Sequence, residues 1–428
     1  MNTPLFRLFF AISAALIVFG VYIFAPDSNN WVWAGTALSL VAILFIYRLS
    51  YMNSVVAYVL PWLMIVCFSA IPISEYSRPL GAYIYALIFT CILTWFVSSI
   101  SAPVSNGPVG KVDLDKALRV SSGAFWGLFA VLWAMLAFEA AWAGFVPLVS
   151  LLTSGDSNYM EFGIRGLHGA VIAYANALAC FCFYQYLITR NARYLRPYFA
   201  ILGIFILLMT RQNILSTLVE STVIWCMVRR PVRRTVLAIG ICLFLTAFSV
   251  FGELRSGDIT AIINVAPEYS HLPKAFYWLY GYSYFNAANL QYMIQDSGAP
   301  FFDGSMFSQL LPSFLRGESN QSTYVVFGAM TVTSYLDPIY RDVGFVGAVL
   351  VTAFWGRVTS RAFIQTLSQG SFVSVATYAC LYYCALFSFF VNNWFYLPVI
   401  SQIVFFWLFD RWMFARNRLG FLPAQQLS

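Results

Sequence analysis

The sequence predicts an all-α, polytopic membrane protein of about twelve transmembrane helices, with one large loop outside the membrane that contains short helices. Three observations lead there. Hydrophobic residues make up 61% of the 428 and charged residues only 10%, a balance that does not describe a water-solvated chain. Apolar runs long enough to cross a hydrocarbon layer of about 30 Å recur from end to end, so one integral membrane domain, residues 1–428, is expected. The basic residues are many in alternate loops and few in the others, which reads as a topology signal rather than a nucleic-acid surface.

The expected spans are 5–24, 31–47, 55–74, 80–100, 120–141, 167–189, 197–210, 213–228, 235–252, 343–360, 371–391 and 394–410. The run from Leu5 to Phe24 is too long for a signal-peptide core and shows no small-residue cleavage site, so it counts as the first span. Residues 197–228 read either as one long helix or as a tight pair turning near Arg211, and charge parity favours the pair. Threaded this way, 17 of the 24 lysines and arginines stand on one side, Arg229, Arg230, Arg233 and Arg234 among them. The positive-inside rule then places both termini in the cytoplasm and residues 252–342, the largest loop, on the opposite side.

The asymmetry of the loops excludes several functions. The longest inner loop, Ser101 to Arg119, is too short for a nucleotide-binding domain, and no phosphate-loop or dinucleotide fingerprint occurs. Asp113-Leu114-Asp115 spells the DxD of metal-dependent glycosyltransferases, but in so short a loop it reads as solvated charge. All eight cysteines fall inside expected spans, with no histidine at ligand spacing, which favours packing over disulfides or zinc. No metal and no cofactor is expected.

The candidates for chemistry lie on the outer side. Glu161, Arg165 and His168 follow at intervals of four and three, so a helix through them would share one face, although Gly163 and Gly166 oppose that helix. An imidazole beside a carboxylate suits a base acting on a sugar hydroxyl, and Arg165 suits a fork onto phosphate. Arg211 ends an apolar run, where a guanidinium costs roughly 2–3 kcal/mol unless paired or hydrated. Glu220 is the only carboxylate well inside a span, while Glu139 stands near the outer end of the fifth. Arg255 and Arg341 flank the two ends of the large loop, and Glu220 and Asp258 are expected to stand behind these cations. Within the loop Tyr280, Tyr284 and Asn289 belong to an aromatic and amide-rich stretch that fits either a headgroup belt or a surface for sugar rings. Arginine forks stabilise a departing diphosphate without nucleotide or metal, and an outward-facing glycosyltransferase has to draw its energy from a lipid-diphosphate bond.

Several of these segments together resemble the Wzy-type oligosaccharide repeat-unit polymerases of bacterial O-antigen and capsule synthesis, in the GT-C group. The resemblance runs from about residue 145 to 360. It is carried by Pro147-Leu148, Glu161-Phe162-Gly163-Ile164 through Gly166-Leu167-His168-Gly169, and Arg211 after its apolar run. It continues through Gly252-Glu253-Leu254-Arg255-Ser256-Gly257, the tyrosine-rich stretch with Asn289, and Tyr340 to Gly344 with Gly347. Arg165 stands where the family more often has proline. The resemblance implies transfer of an undecaprenyl-diphosphate-linked growing chain onto a single lipid-linked repeat unit at the periplasmic face of the inner membrane, beside a chain-length-regulator protein. It implies that Arg211, Arg255 and Arg341 hold diphosphate and that His168 or Glu161 activates the acceptor hydroxyl. The rival readings are an O-antigen ligase, which uses the same donor, and a lipid-linked sugar flippase, which would show internal repeats that are not found.

Overall fold

A computed structural model describes residues 52–99, 122–155, 161–229, 232–296, 300–302, 304–312, 314–315 and 333–419, with only the backbone of 234, 254, 255 and 414–419. The first two expected spans, the inner loop with Asp113-Leu114-Asp115, and the Arg255 side chain lie outside the described residues. The described residues are helical with no strand; one isolated bridge joins Ser74 to Val265.

Helices stand at every expected span from the third onward. The first three are α1 (Ser54–Ser69), α2 (Ala82–Ser98) and α3 (Ser122–Ala143), followed by a short α4 (Pro147–Ser154). The centre of the bundle is α5 (Leu167–Thr189), packed by α3, by α6 (Ala192–Leu207), by α7 (Arg211–Val228) and by α13 (Leu397–Leu419). Small residues make this crowding possible, since Ala173, Ala175, Ala177 and Ala179 are all buried and let neighbouring backbones approach. Residues 197–228 form the pair rather than one helix. The turn at Leu208–Thr210 puts Met209 at φ 55° and makes Arg211 the first residue of α7.

Beyond this group, α8 (Arg234–Ser256) leads into the large loop, which holds α9 (Ile259–Ile262), α10 (Lys274–Asp296) and 3-10 turns at Pro267–Tyr269 and Ser305–Leu310. The loop is thus more than short helices: α10 has 23 residues and packs on α1 and α8. Then come α11 (Leu336–Gln369), α12 (Phe372–Leu386) and finally α13. Two asparagines and a serine start helices with their side chains: Asn53 accepts from Val55 N–H at 2.9 Å, Asn191 from Arg193 N–H at 3.0 Å and Ser371 from Ser374 N–H at 3.3 Å.

Among the described residues, four helical stretches are long and apolar enough to cross a membrane: Ser122–Ser154, Leu167–Thr189, Thr235–Glu253 and Leu336–Gln369. Three shorter apolar helices are α1, α2 and α12. The outward faces agree with an apolar solvent, for α3 exposes Trp126, Trp133, Phe138 and Trp142, and α8 exposes Val236, Ile239, Ile241 and Leu243.

α11 is broken at Gly344, whose φ of 65° and ψ of −164° belong to a region open essentially to glycine alone. The break falls where the tenth span is expected to begin, separating the first two turns, largely buried, from the long apolar stretch. A side chain at this position would also approach Pro300 to 3.4 Å. Gly344→Ala is expected to cost about 1–3 kcal/mol, read as a lower Tm of the detergent-solubilised protein; an unchanged Tm would remove the strain argument.

Candidate functional site

The starts of α5 and α7, the end of α8, one face of α10 and the link between α12 and α13 line one cavity of about 750 Å³. It brings His168 and Arg211 together, although 43 positions separate them in the sequence. Arg211 is the only permanently charged residue in the described wall, and no carboxylate lines it.

His168 sits in the first turn of α5, and its setting follows from two glycines. Gly163 at φ 91° and Gly166 at φ 87° interrupt the chain before α5, so Glu161, Arg165 and His168 do not share a helix face. Glu161 and Arg165 are exposed and line no part of the cavity, whereas His168 turns inward. Its carboxylate partner is Glu139 of α3, fully buried, with Oε2 at 2.9 Å from Nδ1. With Glu139 accepting, Nδ1 carries the proton and Nε2 keeps the lone pair, the arrangement that orients an imidazole as a base. Phe162 meets the ring edge-on at 5.7 Å, and a methyl at Gly163 would lie 2.6 Å from Nδ1, so that glycine is what leaves room for the imidazole.

Arg211 owes its place to the helix break just before it. Its Cζ lies 5.1 Å over the Phe248 ring of α8, and its Nη1 is buried without a hydrogen-bond partner among the described residues. A guanidinium stacked on an aromatic ring with a buried donor to spare has the chemistry to meet an anion.

Glu220 is fully buried on α7 behind this wall. Its Oε2 accepts from Gln402 Nε2 at 2.6 Å and from the Cys180 thiol at 3.0 Å. Since Gln402 lines the cavity, Glu220 stands one side chain away from it and holds that amide in place. Asn176, which also lines it, is held by Thr217 at 2.8 Å.

Other expected residues are placed elsewhere. Arg341 is paired with Asp337 at 3.2 Å and takes no part in the cavity wall. Asp258 caps α9 through Thr260 N–H at 3.2 Å and meets Lys274 at 3.3 Å; these contacts, the Thr260 bonds foremost, hold its carboxyl below the usual range, and it supports no arginine of the cavity. The residues of α10 expected to bind sugar, Tyr280, Tyr284 and Asn289, do not line the cavity. Tyr280 and Tyr284 are buried against the segment after α1, where Tyr280 bonds Ser77 and the Tyr284 hydroxyl accepts from Arg78 N–H and donates to Arg78 C=O, both at 2.6 Å. Asn289 is buried outside the wall. The residues of α10 that do face the cavity include Trp278 and Tyr282, one helical turn apart and on a different stripe from positions 280 and 284. That spacing was readable, but which stripe faces inward was not.

Comparison with family profiles, with characterised proteins and with solved structures returns no match.

The Glu220–Gln402 bond gives a stability test. Gln402→Leu leaves a buried carboxylate short of a donor and is expected to cost about 1–3 kcal/mol. Glu220→Leu combined with Gln402→Leu should recover much of that loss in thermal melts; a double variant that melts no higher than Gln402→Leu would deny the coupling.

Proposed function

We propose that this chain is a membrane glycosyltransferase that polymerises undecaprenyl-diphosphate-linked oligosaccharide repeat units, as the Wzy-type polymerases it resembles do, at the periplasmic face of a bacterial inner membrane. The observation that carries the reading is the shared cavity of Arg211 and the Glu139-oriented His168. It offers a cation for a departing diphosphate and a base for an incoming hydroxyl, the two groups such a transfer requires.

In this reading the acceptor hydroxyl gives its proton to His168 Nε2 while its oxygen bonds to the anomeric carbon of the growing chain. The bond from that carbon to the diphosphate oxygen breaks, and its electron pair leaves with the lipid diphosphate. Arg211 takes up the negative charge that develops there. Glu139 stabilises the imidazolium formed at His168. Donor, acceptor and membrane lipid are the partners, with a chain-length regulator beside them; no nucleic acid takes part.

The test is reconstitution of the purified protein in liposomes with a synthetic lipid-diphosphate repeat unit, followed by gel analysis of the product. His168→Ala is expected to lower the rate by roughly 10²–10⁴-fold, the usual worth of a general base. Arg211→Ala is expected to lower it by roughly 10²–10³-fold, as loss of one stabilising donor does elsewhere. Glu139→Gln should resemble His168→Ala, and Glu161→Gln should stay close to wild type. Wild-type chain length in both Arg211→Ala and His168→Ala would remove the proposal. In cells, loss of a polymerase leaves single repeat units on the lipopolysaccharide core, whereas loss of a ligase leaves the core uncapped.

A further inference from the structure

A further part of the cavity wall, reached from Arg211 through Gln212 and Phe248, has a composition of its own. Between α12 and α13 the chain leaves the helix for residues 387–396, turning through Phe390 N–H to Phe387 C=O at 2.9 Å and Asn393 N–H to Val391 C=O at 3.1 Å. This link contributes Phe387, Phe390 and Asn393 to the cavity. Asn393 is fully buried. Its Oδ1 accepts from Gln212 Nε2 at 3.3 Å, which sets the amide, while its Nδ2 has the Tyr383 hydroxyl beside it but no well-formed hydrogen bond among the described residues. Facing the link, Trp278 and Tyr282 of α10 stack at 5.7 Å with 24° between planes, and Tyr282 meets Phe390 edge-on at 4.8 Å. Trp278 Nε1 is a second buried donor without a partner among the described residues.

We infer that this wall, Trp278 and Tyr282 with Asn393 and Gln212, is the subsite for a sugar ring of the lipid-linked substrate. The inference rests on the glycosyltransferase reading and deepens it. Unpaired donors in a buried wall are expensive, and a ligand that brings acceptor oxygens satisfies them. The available donors are neutral and no carboxylate lines the described wall, so the ligand they fit is neutral and rich in hydroxyls. Flat aromatic faces beside them match the apolar face of a pyranose, and an amide pair matches its hydroxyl edge. The anionic part of the same molecule is served by Arg211, whose neighbour Phe248 packs edge-on against Tyr282 at 5.6 Å and so joins the two subsites. The sugar subsite is thus built from the face of α10 that carries Trp278 and Tyr282, not from Tyr280 and Tyr284.

The two subsites separate in a binding experiment on the full chain in nanodiscs. The probes are farnesyl diphosphate and citronellyl-diphosphate-linked glucose, galactose and N-acetylglucosamine. At least one sugar-bearing probe is expected to bind about tenfold more tightly than the bare diphosphate, by roughly two neutral hydrogen bonds and a stacked ring. Asn393→Ala and Trp278→Phe, the latter keeping an aromatic ring, should each remove most of that increment. Both should leave farnesyl diphosphate affinity within about twofold, while Arg211→Ala weakens every probe. A sugar increment that survives both substitutions, or no increment with any probe while farnesyl diphosphate binds, overturns the subsite and leaves the diphosphate reading standing. Failure of all probes to bind overturns both.

Discussion

A backbone carried through an apolar solvent has to bond to itself, and any stretch that leaves the helix must be covered by protein or open onto water. In this chain several such departures converge. The glycine-broken approach to α5, the turn before α7, the exit from α8 and the ten-residue link between α12 and α13 all meet around the same cavity. A polar interior within an apolar bundle is the consequence. The helices supply a rigid frame, and the breaks deliver backbone ends and polar side chains to one place.

The electrostatics of that place follow from the same constraint. Arg211 opens α7 instead of sitting within a continuous helix, so its guanidinium reaches the cavity and rests on Phe248 rather than in lipid. Glu139 lies fully buried and is separated from the cavity by His168, whose Nδ1 it bonds. The carboxylates of this region are held back behind neutral or titratable side chains: Glu139 behind His168, Glu220 behind Gln402. What the wall presents is therefore positive charge, neutral donors and aromatic faces, a combination suited to a glycosylated diphosphate.

The all-helical class and the positions of the helices from the third expected span onward were legible in the amino-acid sequence. Charge parity separates α6 from α7, as the turn at Leu208–Thr210 does in the structure, and Gly344 marks where the apolar part of α11 begins. Arg211 and His168 were legible as candidates because a cation at the end of an apolar run and a lone imidazole at the start of a span are conspicuous against so uncharged a background. Glu161 was misread as the partner of His168 because helical spacing was extended through Gly163 and Gly166, whose positive φ angles end it. Arg341 drew attention by its position at the end of the loop, yet Asp337 lies one turn before it on the same helix and holds it.

The run of apolar segments and the distribution of basic residues settle where helices form, because lipid penalises every unpaired peptide group and every stray charge in a way that depends only on local composition. Contacts across the bundle obey no such local rule. The bond from His168 to Glu139 spans 29 positions, that from Gln402 to Glu220 spans 182, and that from Gln212 to Asn393 spans 181. Which carboxylate reaches the imidazole, and which stripe of α10 faces the cavity, is decided by how the helices rotate against one another as they pack, and that rotation exists only in the folded bundle.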